Sequence, residues 1–172
     1  FRTGRAENVD IFHGVSLSKG AKYSVVVENR TVSPFYASQL NPASAVNTVG
    51  NVILAWEDLR SGTSLDIYVR IFDPAGAPLT DTIVVCEAAG HQVNPALALD
   101  SSDNIFILWQ DARAGDSDIY GRKLTSSGAP AGSEFSVCNA ADDQCRPAVC
   151  AASSGKMLAA WDDFRTSKHY AV

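Results

Sequence analysis

The chain has 172 residues, 46% of them apolar and 19% charged, which is enough material for one domain with a packed core. Its formal charge of −5, with no Lys/Arg cluster, argues against a phosphate-tracking surface and so against nucleic acid as a partner. No apolar run approaches the roughly 20 residues that a membrane-spanning helix requires, and no basic-then-apolar leader opens the sequence.

Taken in order, the chain repeats itself. Asp10-Ile11-Phe12 is followed ten residues later by Gly20. Then come Gln39, Pro42, Trp56-Glu57-Asp58-Leu59-Arg60, Asp66-Ile67-Tyr68 and Gly76-Ala77-Pro78. The same series returns as Gln92, Pro95, Trp109-Gln110-Asp111-Ala112-Arg113, Asp118-Ile119-Tyr120 and Gly128-Ala129-Pro130. It begins a third time with Gln144, Pro147 and Trp161-Asp162-Asp163-Phe164-Arg165. The tryptophans stand 53 and then 52 residues apart, and a fixed period of that size means stacked structural units.

Each unit reads as four short strands separated by turn residues. In the unit that keeps the pattern best, the strands are 95–99, 104–110, 119–124 and 134–138. No window carries a helical period, so the chain is all-β. In the second strand Ile105, Ile107 and Trp109 point one way while Phe106 and Leu108 point the other. Both faces are apolar, which places each sheet between two others. Small sheets, each sandwiched by its neighbours, describe β-propeller blades better than a sandwich with one wet face.

The pattern Gln-x-x-Pro, apolar-Trp-x-Asp-x-Arg, Asp-Ile-Tyr and a later Gly resembles the propeller-type repeat of many secreted or surface-exposed bacterial and archaeal proteins, and the resemblance spans the whole chain. It implies an extracellular or cell-surface location. The opening Phe1-Arg2-Thr3-Gly4 resembles Phe164-Arg165-Thr166, so the sequence starts in the turn between a second and a third strand. The segments are then 1–40, the last strands of one blade; 41–93 and 94–145, two blades; and 146–172, the first strands of another. About three blades rarely close a ring. The expectation is that another copy or a missing part of the chain completes the terminal blades, giving a homo-oligomer or filament. With Met157 as its only Met, the sequence also reads as a processed product or a fragment.

Trp56, Asp58 and Arg60 alternate along a strand and so share one side, as do Trp109, Asp111 and Arg113, and Trp161, Asp163 and Arg165. Recurrence in every unit favours a folding device, in which the aspartate accepts turn amides while the arginine stacks on the tryptophan or pairs with a carboxylate. Asp66 and Asp118 recur in the same way. Asp116 and Asp118 resemble the start of a calcium loop, although the glycine and distant glutamate that complete one are missing. No other metal or cofactor is expected.

Four cysteines with no Cys-x-x-Cys fit an oxidising compartment better than a zinc site. Cys138 and Cys145 bracket a link between units and could close it as a disulfide, leaving Cys86 and Cys150. Asn29-Arg30-Thr31 is a glycosylation sequon. His13, His91 and His169 are isolated, and no nucleophile elbow, phosphate loop or zinc-protease motif occurs. The expected function is therefore a non-catalytic, self-assembling surface or filament component. The alternative is a carbohydrate- or calcium-binding module of a secreted adhesin or hydrolase. An enzyme would show one asymmetric acidic pocket among otherwise equivalent blades.

Overall fold

A computed structural model describes residues 31–152 and 156–165, with the backbone of Val15–Ser16, Ser24–Val25 and Tyr170–Ala171. Phe1 to Gly4, Asp10 to Phe12, His13, Gly20, the sequon at Asn29 and His169 lie outside the described residues. Two four-stranded antiparallel sheets form the centre. The first is β3 (Gln39–Val46), β4 (Val52–Asp58), β5 (Asp66–Phe72) and β6 (Ile83–Cys86), hydrogen-bonded in that order. The second repeats it with β7 (Gln92–Leu99), β8 (Ile105–Asp111), β9 (Asp118–Leu124) and β10 (Phe135–Cys138). A third begins with β11 (Gln144–Ala151), β12 (Met157–Asp163) and β13 (Tyr170–Ala171), and a two-stranded piece, β1 (Val15–Ser16) with β2 (Ser24–Val25), precedes them all.

The first strand of each unit starts at its Gln, three residues before the position read from sequence, because a bulge bends it there. Asn41, Asn94 and Arg146 sit at positive φ (47°, 54° and 52°), and the pairing register slips at each of these points. A bulge inserts one unpaired residue and increases local twist, as stacking sheets around an axis requires. The tight turns at the opposite end use Asx chemistry. Asp73 Oδ1 accepts from the amides of Ala75 and Ala77, and Asp100 Oδ1 from those of Ser102 and Asn104.

The sheets stack face to face, and the first strands β3, β7 and β11 touch one another directly, so they are innermost. Ile53, Ala55, Ile67, Val69, Ile71 and Val85 of one sheet meet Ile105, Ile107, Trp109 and Leu124 of the next in one core. The other face of the first sheet buries Leu54, Trp56, Tyr68 and Phe72 with Val32. Trp109 therefore points back toward the preceding sheet and Trp56 toward Val32, and β4 is buried on both faces. Fully burying such a side chain contributes about 1.5–3 kcal/mol, and this interleaving is the main force holding blade to blade. None of the described residues forms a helix long and apolar enough to cross a membrane.

Candidate functional site

The end of the molecule where β4 and β8 finish and β3 and β7 begin carries the repeat's polar residues. There the Trp-x-Asp-x-Arg segment folds into a closed unit. The Trp56 indole N–H donates to Asp58 Oδ2 at 3.0 Å, the Arg60 amide donates to Oδ1 at 2.8 Å, and Arg60 Nη2 reaches Oδ2 at 2.5 Å. Trp109, Asp111 and Arg113 do the same at 2.7, 2.9 and 2.6 Å. At the edge, Trp161 is half-buried while Arg165 holds Asp163 at 2.8, 2.9 and 2.5 Å. Burial pushes the Asp58 and Asp111 carboxyls up, but hydrogen bonds from the arginines and tryptophans outweigh it and hold both below the ordinary value. Hydrogen bonds from Arg165 bring Asp163 down to about 2.

The arginines do not stack on the tryptophans. Arg60 lies over Tyr68 at 3.9 Å and over Phe35 at 4.1 Å, and Arg113 lies over Tyr120 at 4.2 Å. The indole N–H is spent on the aspartate, so the ring of Asp-Ile-Tyr supplies the π face instead. Each arginine also reaches back 27 residues to the preceding unit. Arg60 Nη2 donates to Ser33 Oγ at 3.4 Å and Arg113 Nη2 to Cys86 Sγ at 3.1 Å. Cys138, again 27 residues before Arg165, is among the groups holding that guanidinium above its usual pKa, after Asp163.

This corrects the disulfide expectation, because all four cysteines are free. Cys86 is buried against Arg113 and Asp111, and burial pushes its thiol up to about 12. The fourth-strand cysteines face the next blade's arginine. Cys145 instead pairs with Asp162 at the bulged start of β11, and Cys150 is exposed on the same strand. Asp116 and Asp118, the calcium candidates, do not gather a third ligand. No group of three His, Cys, Asp or Glu able to hold a metal occurs among the described residues.

A second polar series lies along the innermost strands. Asn41 Nδ2 donates to Glu57 Oε1 at 2.8 Å, and the same oxygen accepts the Asn94 amide of the next blade at 2.6 Å. Asn94 Nδ2 then donates to Gln110 Oε1 at 3.0 Å, which takes the Arg146 amide at 3.4 Å, and Arg146 pairs with Asp162. Sequence reasoning missed these positions. Their signal is that the residue within Trp-x-Asp is always an acceptor and the residue before each repeat proline is always polar.

Where the units stop being alike, a cleft of about 520 Å³ opens between the turn after β4 and the link after β6. Its walls are Ser61, Thr63, Ser64 and Asp66 on one side and Glu87 to His91 on the other. Asp66 is 1% exposed; Ser64 Oγ donates to its Oδ1 at 3.1 Å, while Oδ2 has no protein partner. Burial raises the Asp66 carboxyl above its ordinary value, Ser61 and Ser64 offset this in part, and Glu87 and Asp58 push it further up. Glu87 accepts the Tyr68 hydroxyl, whose own pKa is raised by burial and then by that carboxylate. The walls are tied together by the Leu65 amide, which donates to His91 Nδ1 at 3.0 Å.

The next blade keeps the framework and changes the groups. Asp118 has Asp116 two residues before it where Asp66 has Ser64, and burial, then Asp111 and Asp116, raise its carboxyl. Asn139 replaces Glu87, and Asp143 replaces His91, with its Oδ1 taking the Ser117 amide at 2.9 Å. The grouping of Asp66 with Glu87 and His91 thus belongs to one blade, and the equivalent place in the next carries Asp116, Asp118 and Asp143 instead. Glu87, His91 and Tyr68 are the residues that sequence reasoning left unassigned there.

No protein-family model matches the chain, and no curated protein matches it. Solved structures similar to it include an endo-arabinase from Bacteroides thetaiotaomicron, at 13% identity and a TM-score of 0.57, with 87% of this chain and 60% of that chain covered. An alpha-L-arabinofuranosidase from Fusarium graminearum is similar at 11% identity and a TM-score of 0.57, covering 90% and 52%. A thermostable family-43 glycoside hydrolase follows at 8% and 0.51, covering 84% and 61%. The chain spans less than two thirds of the length of each. At such identities the likeness is one of fold, and the fold is that of β-propeller blades.

The comparisons also correct the expected function. These three neighbours are carbohydrate-directed enzymes by name, a finding against the expected reading as a non-catalytic structural or filament component.

Proposed function

We propose that this chain is a carbohydrate-binding propeller module of an extracellular protein, with the cleft at Asp66 as its site. One observation carries the reading: a carboxyl oxygen that is fully buried, without a protein partner, in a cleft walled by hydroxyls and backbone. A buried acceptor costs about 1–3 kcal/mol when nothing bonds to it, and a sugar hydroxyl both donates and accepts. Ser61, Thr63, Ser64 and Glu87 supply further partners around the same opening. Two carboxylates in one cleft repel acidic sugars, so the ligand is a neutral glycan. Two of the fold neighbours are an arabinase and an arabinofuranosidase, which makes arabinan the first to try.

Electrophoresis through gels containing single polysaccharides, arabinan, xylan and β-glucan among them, tests this. At least one retards the protein and Asp66→Ala abolishes the retardation; free migration in every gel, or an unaffected Asp66→Ala, removes the proposal. A second reading, hydrolysis, has one observation in its favour: Asp66 is pushed toward its neutral form beside an acceptor carboxylate, Glu87, as acid–base pairs are. Binding stands first because Glu87 is already engaged by Tyr68. Reducing ends released from the retained polysaccharide by the wild type, and not by Glu87→Gln, would reverse that order.

A further inference from the structure

The link leading into β3 carries Phe35 and Tyr36. Counted back from the glutamine that opens each inner strand, the same positions hold Ala88-Ala89 in the next link and Ala140-Ala141 in the one after. Two small residues therefore satisfy the fold at this place, and the aromatic pair is an exception it does not require. Tyr36 is 93% exposed and Phe35 47% exposed. A large aromatic ring left in water costs apolar burial that the fold could otherwise have used, and exposed aromatic pairs of this kind mark binding surfaces.

Phe35 is held in place and linked to the cleft wall, and Tyr36 follows it in the chain. The Ser33 hydroxyl accepts the Phe35 amide at 3.4 Å, Gln39 Nε2 donates to the Phe35 carbonyl at 3.2 Å, and the Leu59 amide donates to the Ser38 carbonyl at 3.0 Å. Arg60 is clamped between the Phe35 ring at 4.1 Å and the Tyr68 ring at 3.9 Å, and the Tyr68 hydroxyl bonds to Glu87 in the cleft wall. A run of packed groups, Phe35, Arg60, Tyr68 and Glu87, thus leads from the link before β3 to the cleft wall. An aromatic face carries negative charge density and attracts the polarised C–H groups on the flat side of a sugar ring.

We propose that Phe35 and Tyr36 form a second subsite, a stacking platform that takes further units of the glycan held at Asp66. The ligand is then the interior of a linear neutral chain several units long, not a terminal monosaccharide. This rests on the cleft being a carbohydrate site.

The test is calorimetric titration of the whole chain with linear oligosaccharides of one to six units, cut from whichever polysaccharide retards it in gels. Affinity rises with length by at least about tenfold, Tyr36→Ala removes that rise while leaving the affinity for the shortest bound oligomer unchanged, and Tyr36→Trp keeps it. Because Tyr36 is exposed, the melting temperature of Tyr36→Ala stays at the wild-type value, which separates lost stacking from lost structure. If affinity does not rise with length, or if Tyr36→Ala keeps the rise while Asp66→Ala abolishes binding, the platform is overturned and the cleft stands. If no oligosaccharide binds at all, both fall.

Discussion

Asp58 and Asp66 stand in register at the adjoining ends of β4 and β5, yet their carboxyls are pushed in opposite directions. Asp58 has an arginine and an indole; Asp66 has two serines and an open cleft. Asp58, Asp111 and Asp163 are depressed when folded, so each contributes stability above the ordinary carboxylate value near 4 and loses it as pH falls below. For Asp163 the window closes at about 2. Asp66 and Asp118 are raised, so their contribution is full at low pH and is lost as pH rises through the folded value. Asp66→Asn therefore raises the melting temperature at pH 7 and leaves it unchanged at pH 3, whereas Asp111→Asn lowers it at pH 7. Thermal melts across pH check both, and a residue whose removal stabilises the fold is one kept for another purpose. The arginines separate by burial. Arg113→Ala strands the fully buried Asp111 and costs about 3 kcal/mol, while Arg165→Ala, with half its side chain in solvent, shifts the urea midpoint far less.

At the scale of the strand and link, blade is joined to blade by single atoms as well as by the core. Glu57 Oε1 holds donors from two successive inner strands, so Glu57→Ala leaves both without their acceptor and costs about 1–3 kcal/mol, while Glu57→Gln keeps an acceptor oxygen and costs less. Gly90 sits at φ 76° in the cleft wall, and a Cβ there would lie 2.7 Å from the Ala112 carbonyl oxygen, which is backbone and cannot turn aside. Gly90→Ala accordingly lowers stability by about 1–3 kcal/mol in denaturation. The strand order is legible in the sequence because tryptophan, aspartate, proline and glycine return at a fixed period. The strand starts are misjudged by three residues, since a bulge at Asn94 or Arg146 leaves no mark in a pattern of alternation. The cysteines mislead for a related reason: spacing between thiols says nothing of partners, and the informative interval was the 27 residues from Cys86 to Arg113.

For the whole molecule, repetition builds the scaffold and departure from repetition builds the site. Trp109, Asp111 and Arg113 do the same structural work as Trp56, Asp58 and Arg60, while in the edge unit Arg165 holds Asp163 but the Trp161 indole N–H has no hydrogen-bond partner among the described residues. Glu87, His91, Phe35 and Tyr36 have no counterparts, so a reading that weighs recurrence passes over them, and it is the fold that brings Glu87 and His91 opposite Asp66. The same logic explains why a self-assembling structural role looked natural from sequence: the repeats and their phase were visible and the cleft was not. The most direct test is to assign the backbone amides by NMR and titrate in an oligosaccharide from the retained polysaccharide. The account predicts shifts concentrated in residues 61–66 and 87–91, with smaller ones at 35 and 36. Shifts confined to the inner-strand residues around Asn94, Gln110 and Arg146, or no shifts at all, would contradict it.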